Sequence, residues 1–182
     1  FGSALHTWTS ILGITLLGLA TGYYSGGVLS KQYRGTDILS STLGIAALII
    51  AFMPFVGASV LEFALFTDFR TGAVISSLIL IFPPMFCLCM TTPLIIRFLS
   101  SEKEQTGKMV GWAYAISTIG GIASAIVLGF LLIPMIGLRI CTVIIALITI
   151  VIPVIFFLQT KNTKFILTLT SGIILVSGLN IY

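Results

Sequence analysis

Fourteen charged side chains divide this chain of 182 residues into six stretches that contain none: 1–30, 38–61, 71–96, 109–138, 140–160 and 165–182. Each stretch holds between 18 and 30 residues. A helix needs about 20 apolar residues to cross the hydrocarbon of a bilayer, so each has room for one crossing and none for two. The stretches are continuously apolar rather than alternating, which excludes membrane-spanning strands. Composition points the same way. With 58% hydrophobic residues, 8% charged and a mean hydropathy of +1.20, too few polar groups remain to cover a water-soluble globule. The expected fold class is all-α integral membrane, a single transmembrane helical domain over 1–182 with six transmembrane helices.

Local chemistry sets the expected limits at about 5–29, 37–54, 71–99, 108–134, 138–158 and 164–181. The first helix stops at the polar run Ser30-Lys31-Gln32-Tyr33-Arg34-Gly35, and the second starts at Thr36-Asp37, where an acid suits a helix N-terminus. Pro54 is expected to kink or end the second helix, leaving 55–69, with Glu62 and Asp68, as an interfacial connection. The third carries Pro83-Pro84 and Pro93 and cannot be straight.

Seven of the nine Lys and Arg residues lie at 31–37, 97–108 and 159–164, and only Arg70 and Arg139 occupy the connections between them. The positive-inside rule therefore puts those three loops in the cytoplasm and both chain ends outside, in a bacterial-type inner (plasma) membrane. The net charge of +4 is too dispersed for a nucleic-acid footprint. The partners implied are the lipid bilayer and other membrane-protein subunits or a second copy in a homodimer. No cofactor is expected. Cys87, Cys89 and Cys141 form no CxxC pair and have no nearby histidine, so they read as small buried hydrophobes. The Gly120-Gly121 pair lacks the strand and the acid of a dinucleotide fingerprint.

Two stripes of small residues recur every fourth position: Gly18, Gly22 and Gly26 in the first helix, and Ser117, Gly121, Ala125 and Gly129 in the fourth. Lipid supplies no hydrophobic push between helices, so close approach along such stripes is a main source of association. Helix packing is the plainer meaning; a substrate path is the other. Polar groups are scarce. His6 beside Trp8 suits the interfacial belt better than a ligand or relay role, and Glu62 suits the headgroups better than a cavity. Arg97 can snorkel from the inner end of the third helix. Tyr114, Ser117 and Thr118, with Arg97, are the candidates for a polar cavity, although bonds between helices explain the three hydroxyls equally well. No charge falls near the middle of a span, which counts against ion-coupled transport.

Three stretches carry a family resemblance: FGSALHTWTSILGITLLGLATGYYSGGVLSKQYRG at 1–35, FPPMFCLCMTTPLIIRFL at 82–99 and GKMVGWAYAISTIGGIASAIVLGFLLIPMIGLR at 107–139. They resemble, in order, the membrane domain that precedes the catalytic domain in membrane-bound spermidine synthase-like proteins, a domain similar to half of a major facilitator transporter. Residues 26–35 occupy the place of the facilitator loop motif, with Lys31 where that motif normally has Asp. The resemblance implies a half-facilitator-like bundle lacking its first helix, which would precede Phe1, and an aminopropyltransferase domain that would follow Tyr182. Within 1–182 the five acids fall at 37, 62, 68, 102 and 104, at membrane edges or in loops, with no soluble cleft to gather them. No catalytic residue is therefore assigned and the chain is not expected to be an enzyme.

Three functions follow as expectations. The first is a structural or accessory subunit, a scaffold within a larger membrane assembly. The alternatives are a transporter-like module for small solutes such as polyamines, and the anchor of a fused spermidine synthase-like enzyme.

Overall fold

In lipid, an unpaired backbone N–H or C=O costs several kcal/mol, so a chain this apolar satisfies its backbone within helices. The computed structural model describes residues 5–32, 35–99 and 106–160, and every element among them is helical. In chain order these are α1 (Leu5–Gln32), α2 (Gly35–Leu65), α3 (Phe69–Leu80), α4 (Phe82–Leu99), α5 (Thr106–Ile126), a π-helical segment (Val127–Leu132) and α6 (Ile133–Thr160).

Six crossings are not found among the described residues. Three helical stretches are long and apolar enough to cross a bilayer, Leu5–Lys31, Ile38–Ala64 and Gly107–Ile155. A fourth is reached if Arg70–Leu80 and Phe82–Arg97, bent by 45° at their junction, count as one span. The helix expected at 164–181 lies outside the described residues. Helical backbone continues from Thr106 through the π-helical segment past the expected end at 134, and the separation expected ahead of 138–158 falls at Gly137, where two helices meet at a kink. Pro134 lies between the π-helical segment and Gly137. Gly137 has a φ of 82° and a ψ of 163°, outside the helical region. Only glycine adopts that positive φ without a steric penalty.

Two other limits move for related reasons. Pro54 does not end α2, which continues to Leu65, so most of the expected interfacial connection at 55–69 is helix. A proline removes one hydrogen bond, whereas ending the helix in an apolar run would expose several. The stop comes where polar groups appear: the N–H and hydroxyl of Thr67 both donate to Ala64 O, at 3.3 and 2.8 Å. The segment expected as one helix over 71–99 is broken at Ile81. Pro83 and Pro84 cannot donate, and both sit in the first turn of α4, where helix N–H groups have no partner anyway.

The core lies along α2. Ala46, Ala47 and Ala51 are buried to 0–1% exposure, and Ala47, Ile50 and Ala51 pack against Ala146 and Ile150 of α6. Leu39 and Leu43 pack against Leu94 of α4. Small side chains let the helix axes approach closely, which gives the dispersion contacts that hold helices together in lipid. Buried hydroxyls are satisfied within their own helices: Thr42 donates to Ile38 O at 2.7 Å, Ser76 to Gly72 O at 2.7 Å and Ser77 to Ala73 O at 2.8 Å.

The register of α1 against α4 orders the bundle. Gly18 lies against Met85, Gly22 against Phe86 and Cys89, and Gly26 against Met90 and Pro93. Residue numbers rise together, so α1 and α4 run parallel. Lys31 and Arg97 are thereby brought to one end of the bundle, and His6 and Arg70 to the other.

Candidate functional site

The two small-residue stripes have different surroundings. On α1 a Cβ added at Gly18 would come within 3.1 Å of Met85 Cβ. At Gly22 it would meet Phe86 O at 2.7 Å and Cys89 Cβ at 2.8 Å, and at Gly26 Met90 O at 2.5 Å and Pro93 Cγ at 2.7 Å. This stripe is filled by the chain's own α4. On α5 and the segment after it, nothing among the described residues lies within 4 Å of a Cβ added at Gly121 or Gly129, nor at Gly107, Gly111 or Gly120. Ser117 and Ala125 are exposed. So are the larger neighbours Ile119 and Ile122. Among the described elements the backbone of α5 comes close only to α4 and to the π-helical segment.

Between α4 and α5 lies a cleft of about 690 Å³, lined by Thr91, Thr92 and Ile95 on one side and by Lys108, Trp112 and Ser117 on the other. Of the four residues expected to form a polar cavity, only Ser117 lines it. Tyr114 instead packs edge-to-face on Tyr23 of α1, with ring centroids 6.4 Å apart and planes at 89°. The Thr118 hydroxyl donates to Tyr114 O at 2.8 Å, which turns it onto its own helix. Arg97 is exposed in the last turn of α4. The cleft is mostly apolar, and Lys108 at its rim is the one charged side chain among these lining residues.

A second convergence was not expected from the sequence. At the opposite end of the bundle His6 of α1 meets Asp68, Arg70 and Thr71 around a cavity of about 550 Å³. The signal in the sequence was weak: Asp68 and Arg70 stand two apart at the start of a helix, and nothing local says that residue 6 returns to them. The parallel course of α1 beside α3 and α4 brings them together.

Cys87, Cys89 and Cys141 are free thiols, with Cys89 and Cys141 buried. Among the described residues no group of three or more His, Cys, Asp and Glu side chains is arranged to hold a metal ion. No family model matches the chain, and neither a curated protein nor a solved structure matches it.

Proposed function

We propose that this chain is a multi-pass membrane subunit that supports a larger membrane assembly, with α5 as the helix presented to a neighbouring protein. The observation that carries the reading is the contrast between the stripes: one is occupied to the point of backbone contact, and the other, among the described residues, stands open along a helix able to lie in lipid. An open stripe of small residues gives a partner helix the close approach that lipid tails fill poorly. The partner fitting it is a transmembrane helix with small residues of its own. The resemblance of 1–35, 82–99 and 107–139 to the membrane domain of spermidine synthase-like proteins supports a bundle that works joined to another, since half-facilitator bundles operate in pairs.

The positive-inside rule supports an orientation with Lys31, Arg97 and Lys108 in the cytoplasm of a bacterial-type inner membrane. Transport of polyamines is the weaker reading: among the described residues that line it, the α4–α5 cleft offers Lys108 and no carboxylate, the wrong sign for a polycation.

Size on native gels in mild detergent tests the assembly. The native chain is expected in a species larger than a monomer, with a co-purifying membrane protein; Gly121→Leu reduces that species, while Gly27→Leu, on open α1 surface, leaves it intact. A chain that is monodisperse and alone, whatever stands at position 121, overturns the proposal.

A further inference from the structure

The end of the bundle that carries His6 and Arg70 has a groove as well as a charged cavity. Along α1, His6, Gly13 and Ile14 lie on one face, and along α3 Arg70 and Val74 are one turn apart; together they line a cavity of about 310 Å³ that is mostly apolar. It runs from residue 6 to residue 14, about 12 Å along the helix at 1.5 Å per residue. The charged cavity shares His6 and Arg70 with it and adds Asp68 and Thr71. A polar mouth therefore opens into an apolar slot between two helices.

The mouth offers both signs of charge. Arg70 stands in the first turn of α3, and Asp68, the N-cap residue, makes no side-chain hydrogen bond to that turn. The Gly72 N–H is used by Asp68 O at 2.8 Å, which leaves the earlier N–H groups of α3 to a ligand or water. A phosphate there would meet a guanidinium, a helix N-terminus and the His6 imidazole. Among the described residues no ion pair joins Asp68 to Arg70, so the carboxylate remains for a cation. A simple anion would be repelled by Asp68 and a simple cation by Arg70; a zwitterion matches both. The slot below takes an acyl chain, since the Thr9 and Ser10 hydroxyls donate to their own helix at 2.9 and 2.7 Å and expose no free donor there.

The geometry points to a binding site for a zwitterionic phospholipid, its phosphate on Arg70, His6 and the N-terminus of α3, its ammonium on Asp68, and one acyl chain in the groove between α1 and α3. The site lies on helices other than α5 and stands independently of the assembly reading.

Native mass spectrometry of the full chain, released from micelles holding equal amounts of phosphatidylethanolamine and phosphatidylglycerol, tests it. The chain is expected to retain phosphatidylethanolamine about tenfold over phosphatidylglycerol. Arg70→Gln lowers retention of phosphatidylethanolamine about tenfold, and Asp68→Asn abolishes the preference between the two lipids. Gly13→Leu fills the groove where an added Cβ meets nothing within 4 Å, and it lowers retention of both lipids at an unchanged melting temperature. Equal retention of the two lipids by the native chain overturns the proposal. So does full retention in Arg70→Gln or in Gly13→Leu. Displacement by tail-less glycerophosphoethanolamine at the same concentration overturns the role of the acyl chain, and with it the lipid as ligand.

Discussion

At Gly22 and Gly26 a single methyl group would land closer than 3.0 Å to α4 backbone oxygens. A carbonyl in a helix cannot rotate away as a side-chain tip can, so the helices must separate. Gly22→Ala and Gly26→Ala are each expected to destabilise the bundle by about 1–3 kcal/mol, the usual scale for overpacking. Gly27→Ala, with nothing within 4 Å, is expected to be silent. Unfolding in mixed micelles with increasing dodecyl sulfate measures the difference; equal effects at 26 and 27 would mean that α1 and α4 are not packed along this line. The small-residue stripes could be read from spacing alone, because a spacing of four keeps residues on one helix face. Which stripe would be occupied could not, since that depends on the path of α4. The hydroxyls were less legible still. Thr118 has an acceptor one turn back in its own helix, and the backbone takes the side chain before any cavity can.

Among the elements, the prolines divide into those that end a hydrogen-bond ladder and those that a helix absorbs. Pro54, Pro93 and Pro153 lie inside helices that continue past them. Pro83 and Pro84 stand together, and two successive missing donors coincide with the break at Ile81. Replacing both with alanine restores those donors, and α3 and α4 are expected to straighten toward one helix. Spin labels at Thr71 and Ile95 would then move apart by about 3 Å as the 45° bend is lost, a change within reach of dipolar distance measurement. An unchanged distance would assign the bend to packing against α2. That 71–99 could not be straight was legible in its prolines. The persistence of α2 beyond Pro54 was not, because one proline in water and one in lipid face different alternatives: in water the freed carbonyl finds solvent, in lipid the cheapest partner is the next turn of helix.

For the whole molecule, the membrane character was written in the spacing of charge, and the number of crossings was not. Breaks in charge mark where a chain reaches headgroups, but at Gly137 the backbone leaves the helical region within an apolar stretch, 126–138, that holds no charge. The parallel pairing of α1 with α4 puts Lys31 and Arg97 at one end and Arg70 at the other. Single cysteines placed beside them in a chain lacking Cys87, Cys89 and Cys141 should respond to an impermeant maleimide accordingly. In intact cells the position beside Arg70 is expected to label, and those beside Lys31 and Arg97 only after lysis. Labelling of all three from one side would break the pairing itself. The same pairing sets an order of events during synthesis. The glycine seam of α1 is made first, while the residues that close it, Met85 to Pro93, leave the ribosome more than fifty residues later. Through that interval the newborn first helix holds a notch cut for a neighbour not yet made, so a chain halted before residue 82 would carry an open edge for insertion factors to guard or proteases to find.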